Sequence, residues 1–305
     1  MHYSVLLNES IEGLNIKPDG IYVDCTLGYG GHSSEILKRI PDGHLYAFDQ
    51  DQEAIDYSKK RLSEISSNFT IIHSNFEYMK EKLNELGIEE VDGIIFDLGF
   101  SSPQIDDASR GFSFMKDAPL DMRMDKSATK TANDVVNNYK EEDLTKIFFE
   151  YGEEKYSRSI ARNIVKSRPI QTTMELVKII EKSVPYAYFH KSHPERQIFQ
   201  AIRIEVNNEL SVLKTVLPDA INMLKYKGRL AVITFHSLED RIVKQSFKSL
   251  SEVPKVFQGL RLDDIPKEYR PKISIINKKV IEATEQELSE NSRSKSAKLR
   301  IIERV

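Results

Sequence analysis

The chain has 305 residues, 40% of them hydrophobic and 30% charged, which is enough apolar material for a sizeable core and more length than one ordinary domain uses. A formal net charge of −3 excludes a general attraction for nucleic acid, so a nucleic-acid partner would have to be held by local patches. The single cysteine, Cys25, excludes an internal disulfide and a cysteine-built zinc cluster, the 7 histidines lack a metal-ligand spacing, and no apolar run approaches the roughly 20 residues of a membrane span. A cytoplasmic protein without a metal is expected, since the first residues carry no basic segment followed by an apolar core.

The stretch IYVDCTLGYGGH opens the pattern in chain order. Ile21, Tyr22 and Val23 form a short β-rich run ending at Asp24, and Gly28, Gly30 and Gly31 let the backbone turn tightly toward a ligand. From Ser33 onward, Ile36, Leu37 and Ile40 recur at helical spacing, so a helix N-terminus faces that ligand. A second strand over 45–48 ends in Asp49, a carboxylate placed to accept both hydroxyls of a ribose. Ser33 stands where a dinucleotide fingerprint needs glycine, and Asp24 lies in the path of a pyrophosphate. Both features disfavour a nicotinamide or flavin cofactor and suit a ligand with a cationic end, such as S-adenosylmethionine.

The strand–turn–helix pattern then repeats. A helix is expected over 52–64, a strand over 69–73 ending in Ser74, Asn75 and Phe76, a helix over 77–86 with Gly87 as its C-cap, and a strand over 91–96 closing on Asp97. Strands alternating with helices imply a parallel sheet whose ligands lie beyond the strands' carboxyl ends, where Asp24, Asp49, Asn75, Phe76 and Asp97 fall. Residues 98–131 lack periodicity and read as a long functional loop. Helices without strands follow over 132–138, 141–151, 156–167, 173–183 and 195–217. A helix over 212–224 then introduces a fifth strand over 228–235, a helix over 238–250 comes next, and strands over 273–281 and 297–302 close the sheet. The simplest organisation is one α/β domain, residues 1–104 and 206–305, interrupted by a helical insertion over 105–205.

The motifs DCTLGYGGHS, FDQD, IIHSNF, DLGFSSPQ, RGFSF, LDMRMD, YGEEKYSRSIAR, ITFHSLEDR and NSRSKSAKLR together resemble the ribosomal RNA small-subunit methyltransferase H family, over nearly the whole chain. The resemblance implies methylation of the N4 amine of a cytidine in 16S rRNA, in the small ribosomal subunit or its precursor, with S-adenosylmethionine as donor. It implies a class I S-adenosylmethionine-dependent methyltransferase fold, an α/β Rossmann-like sheet with a helical domain inserted between strands 4 and 5. It also implies cofactor contacts at Gly30, Gly31, His32, Asp49, Phe76, Asp97 and Gln104. One departure from other amino methyltransferases matters: a D/N/S-P-P-Y/F tetrapeptide after the fourth strand is replaced by Asp97, Leu98, Gly99 and Phe100.

Accepting a hydrogen bond from the N4 amine would favour an attacking tetrahedral nitrogen, and Asp97 is the candidate acceptor, its competing role being cofactor binding. His236, after the fifth strand, could touch the base, or could belong to a turn in which Ser237 caps the next helix with Asp240 three residues on. Phe100, Phe112 and Phe114 could sandwich a flipped cytosine or simply pack the loop, and Asp121, Arg123 and Asp125 could form a loop-fixing ion-pair network. RNA contacts are expected on the insertion. Lys155, Arg158, Arg162 and Lys166 share one helical face, Arg196, Gln200, Arg203 and Asn207 form a second stripe, and Arg293, Lys295, Lys298 and Arg300 a weaker third. The alternatives are an RNA-binding assembly factor with a vestigial cofactor site and a methyltransferase for a DNA or small-molecule amine. A homodimer stays open.

Overall fold

The computed structural model describes residues 4–99, 104 and 107–305. Its contacts divide the chain into two compact units, Met1–Gly99 with Leu210–Val305, and Phe100–Glu209. The divisions fall a few residues outside the expected 105 and 205, because the second crossing lies between two helices, at a left-handed Asn208, rather than inside one long helix.

The first unit holds a seven-stranded sheet in the order β3-β2-β1-β4-β5-β7-β6. The strands are β1 Ile21–Asp24, β2 His44–Asp49, β3 Phe69–His73, β4 Val91–Asp97, β5 Leu224–Thr234, β6 Ile273–Ile275 and β7 Lys298–Arg304. The first five are parallel, and β7 runs antiparallel to both β5 and β6. This is the class I methyltransferase sheet. Parallel strands carry helices on both faces, so β4 is an apolar run buried from Val91 to Phe96 without polar alternation.

Its pleat sends successive side chains to opposite layers. Ile94 and Phe96 join Val23, Phe48, Leu230 and Val232 on one face, covered by α4 Met79–Glu85, α11 Glu209–Asn222 and α12 Ser237–Ser251. Ile95 joins Tyr22, Ala47, Ala231 and Ile233 on the other, covered by α1 Leu7–Leu14, α2 Gly31–Leu37 and α3 Gln52–Ser63. Two edges differ from expectation. β5 begins at Leu224 because Lys227 adopts a left-handed conformation and the pairing with β4 shifts register between Val91 and Gly93. β6 stops at Ile275, leaving Ile281 to meet Leu299 only as an isolated bridge.

The second unit is helical among its described residues: α5 Ala132–Asn138, α6 Glu141–Glu150, α7 Ser157–Lys166, α8 Thr173–Lys182, α9 Tyr186–Ser192 and α10 Pro194–Asn207. It has a core of its own, in which Val136, Phe148, Ile160, Ile164, Ile180 and Ile202 meet. Threonine capping boxes, Thr131 with Asp134 and Thr172 with Glu175, satisfy the first amides of α5 and α8. No helix among the described residues is long and apolar enough to cross a membrane.

Candidate active site

The carboxyl ends of β1, β2, β4 and β5 bring four acidic side chains to one edge of the sheet. Asp24, at the end of β1, is 1% exposed. Its Oδ2 accepts the Ser33 hydroxyl at 2.7 Å and its Oδ1 accepts the Thr26 amide at 3.0 Å. Thr26 Oγ1 in turn accepts the Asp97 amide at 2.7 Å, which ties the end of β1 to the end of β4. The sequence suggested that Asp24 faces the cationic end of a ligand. Instead it is consumed in building the loop, and it acts on the site through its charge.

The glycine loop leaves β1 through Gly28 at φ 49° and enters α2 through Gly30 at φ 73°, conformations that L side chains adopt only with strain. Gly31 lies so close to Ser4 that a Cβ there would come within 1.7 Å of its hydroxyl. Asp49 holds this loop from the end of β2: Oδ2 accepts the Gly28 amide at 2.8 Å and Oδ1 the Asp51 amide at 2.9 Å. Burial pushes its pKa up to about 6, against the pull of those two amides. Each carboxylate oxygen has two lone pairs, so one acceptor site per oxygen is left for a diol. Phe76, half-buried three residues beyond the end of β3, meets Phe96 edge-on with ring centroids 5.4 Å apart.

Asp97, at the end of β4, has a different environment. Its Oδ1 is buried with no hydrogen-bond partner among the described residues. Oδ2 lies 3.6 Å from His32 Nδ1. His32 is buried, and its Nε2 is 3.1 Å from the Val5 carbonyl, which can only accept, so Nε2 carries the proton. Burial also holds the ring's pKa down. Nδ1 therefore turns a bare lone pair toward Asp97, and no salt bridge forms. Desolvation, reinforced by Asp24, Glu239 and Glu287, raises the Asp97 pKa to about 8. The side chain as a whole is 25% exposed, and since Oδ1 is buried that exposure lies elsewhere on the side chain.

His236 follows β5 and is itself the N-cap of α12, one residue earlier than the Ser237 cap and Asp240 partner that the sequence suggested. The third helical residue is Glu239, which is 3% exposed. Its Oε2 accepts the amides of Phe235 at 2.8 Å and His236 at 3.4 Å, and its Oε1 stands 3.1 Å from His236 Nε2. Asp240 instead forks onto Arg300 at 2.8 and 3.2 Å. Glu239 was missed from sequence, although a polar cap followed three residues later by glutamate is a legible capping signature.

With this geometry in place, comparison with known proteins decides the family. The MraW methylase family model matches residues 1–305. The chain belongs to that family. It is 53% identical over 308 residues to the "Ribosomal RNA small subunit methyltransferase H" of Exiguobacterium sibiricum, covering 100% of this chain and 98% of that relative. Among solved structures, a rRNA methylase from Streptococcus thermophilus is similar at 13% identity and a TM-score of 0.42, covering 100% of this chain and 99% of that one. A Streptococcus mutans protein solved in complex with SAH is similar at 12% identity and a TM-score of 0.45, with both chains covered completely. The fold itself is read from the strand order.

The residues expected at the cofactor of this methylase fall as follows. Gly30, Gly31, His32, Asp49, Phe76 and Asp97 all lie in the first unit, in the glycine loop and α2 or just beyond strand ends. Gln104 is buried and belongs to the second unit. Phe100 lies outside the described residues.

The expected RNA faces need correction. Lys155, Arg158, Arg162 and Lys166 are all exposed, although Lys155 precedes α7. Arg196 is exposed too, its guanidinium 6.0 Å from the Phe114 ring. The stripe around Arg203 is not a solvated face. Arg203 is buried and forks onto Glu209 at 2.8 and 2.9 Å, while Gln200 donates to the Tyr151 carbonyl and Asn207 bonds the backbone of Met122 and Met124. Arg300 is likewise taken by Asp240. Phe112 is buried in the second unit's core and Phe114 packs against it, so neither presents a free face for a base. Asp121 grips Arg123 at 2.8 and 2.9 Å, and Arg123 also donates to the carbonyls of Lys126 and Ala128, which is the loop-fixing network.

Proposed function

We propose that the protein transfers a methyl group from S-adenosylmethionine to the N4 amine of a cytidine in 16S rRNA of the small ribosomal subunit. Membership of a methylase family, a class I methyltransferase sheet and the full-length relative named for small-subunit rRNA support this reading. The observation that carries the chemistry is the Asp97 carboxyl at the end of β4, whose Oδ1 is buried and unpartnered among the described residues while the side chain as a whole is 25% exposed.

The residues present fit the cofactor. Asp49 has acceptor sites left for a ribose diol, Phe76 offers a half-buried aromatic wall beyond the end of β3, and the glycine loop with the α2 N-terminus offers close backbone approach. When bound, the cofactor supplies an electrophilic methyl group and a sulfonium charge.

The cytosine N4 amine is a weak nucleophile because its lone pair is delocalised into the ring. An ionised Asp97 carboxylate accepting one N–H would localise that pair and hold the nitrogen ready to attack a methyl group supplied by the cofactor. With the cofactor held there, the N–C bond would form as the S–C bond breaks, leaving S-adenosylhomocysteine. The cationic amine product then loses one proton, to Asp97 or to solvent. Glu239 fixes the backbone of Phe235 and His236 on the neighbouring strand end, and His236 is the proposed second contact for the base. The exposed face of Lys155, Arg158, Arg162 and Lys166, with Arg196, is the proposed phosphate-contacting surface.

Purified protein supplied with methyl-labelled S-adenosylmethionine and small subunits from cells lacking the activity tests this directly. Label should enter 16S rRNA as N4-methylcytidine, and label in another nucleoside, or none, contradicts the proposal.

A further inference from the structure

The helix α9, sequence YAYFHKS, has no acidic residue and carries His190 and Lys191 in its last turn. Its inner side is fixed from below. Glu154 is 0% exposed and accepts the Tyr188 hydroxyl at 2.9 Å and the Tyr156 amide at 2.7 Å, so a buried carboxylate pins Tyr188 in place. Tyr156 and Tyr188 pack with ring centroids 4.8 Å apart, and Lys155 Nζ sits 4.2 Å from the Tyr188 ring.

The outer side is left uncovered among the described residues. Tyr186 is 74% exposed, one of the largest exposures of any aromatic side chain in the chain, and His190, one turn on, packs against it at 4.2 Å between ring centroids. A single exposed tyrosine is ordinary on a protein surface. A braced pair of rings on a helix free of acid, joined through Lys155 to the cationic face of α7, is a different arrangement. Such a surface attracts polyanions, and exposed rings flanked by cations are what unpaired bases stack on.

We infer that Tyr186 and His190 form a base-stacking platform for a single-stranded stretch of the RNA substrate, flanking the phosphate contacts of Lys155 and Arg158. This rests on the proposed RNA substrate and adds where an unpaired base is gripped. Stacking uses faces rather than charge, so it should contribute affinity with little sequence preference and little salt dependence, in contrast to the lysines and arginines.

Binding of a fluorescein-labelled oligouridine, of deproteinised 16S rRNA and of small ribosomal subunits should be measured for the wild type, for Tyr186→Ala with His190→Ala, and for Tyr186→Trp. Both positions are exposed, so the melting temperature and S-adenosylmethionine affinity of the double variant should match wild type. Its affinity for all three probes should fall on the order of tenfold with an unchanged salt slope, and Tyr186→Trp should keep wild-type affinity. Wild-type binding with an equally tight double variant overturns this inference alone, whereas a wild type without affinity for RNA overturns the substrate reading and this inference together. Loss confined to intact subunits, with naked rRNA and oligouridine bound as before, makes the occupant a ribosomal protein and likewise overturns it.

Discussion

Asp49 and Asp97 sit at the ends of β2 and β4, on either side of β1 in one sheet, yet their surroundings divide the work between them. Asp49 receives two backbone amides and titrates near 6, so it is an ionised acceptor at neutral pH and a neutral one in mild acid. Affinity for S-adenosylmethionine should therefore hold between pH 7 and 8 and weaken as pH falls through about 6, as calorimetry across that range would show. Asp49→Ala should weaken it by about 1 to 3 kcal/mol, since the ribose loses a charged acceptor and the Gly28 amide loses its partner. Affinity equal to wild type would remove Asp49 from the site.

Asp97 has no such support, and its folded pKa of about 8 stands far above the roughly 3.9 of an unfolded aspartate. Between those values the folded state keeps a proton that the unfolded state has released, so folding stability declines as pH rises and levels off above 8. Asp97→Asn removes that penalty and should stabilise the protein without cofactor by on the order of 1 to 3 kcal/mol at pH 8, with no gain at pH 4. The same variant should lower turnover strongly with cofactor affinity nearly unchanged. A variant that is no more stable at pH 8 and loses cofactor affinity along with turnover would mark Asp97 as a cofactor ligand only.

At the level of elements, α7 separates a working RNA face from a solvated one. Its buried side is Ile160, Ala161 and Ile164, and its cations point away from that core. Neutralising Lys155, Arg158, Arg162 and Lys166 together should weaken binding to the small subunit and flatten its salt dependence, with cofactor affinity unchanged because the glycine loop and Asp49 lie in the other unit. Arg162 is 3.6 Å from Glu141, so thermal unfolding must be followed alongside. A folded variant that binds as tightly as wild type at every salt concentration would make this face solvent-exposed and no more.

The same elements show how much was legible beforehand. Apolar runs ending in Asp24, Asp49 and Asp97, and glycines forced into positive φ, are local signals, and they located the sheet and the strand ends where the site is proposed. Partners across the chain were not local. A polar stripe gives a helix a second face without saying what covers it, and on α10 Arg203, Gln200 and Asn207 are covered by Glu209, Tyr151 and the 122–124 backbone. Short helices such as α1 and α9 fit fewer than three turns, too few for periodicity to stand out. The break between α10 and α11 depends on one left-handed asparagine in an otherwise continuous helical pattern.

Taken whole, the chain leaves its sheet after β4, builds a second core, and returns through α11 into β5. Separate cores let methyl-transfer chemistry and substrate recognition be altered independently, and the expected effect of neutralising the α7 face uses that separation. The central claim is the identity of the modified atom. Nucleoside mass spectrometry of 16S rRNA from cells with and without this protein, and from cells carrying Asp97→Asn, tests it most directly. N4-methylcytidine should disappear from the deletion strain, return with the wild-type chain and stay absent or sharply reduced with Asp97→Asn. The same level of N4-methylcytidine with and without the protein would contradict it.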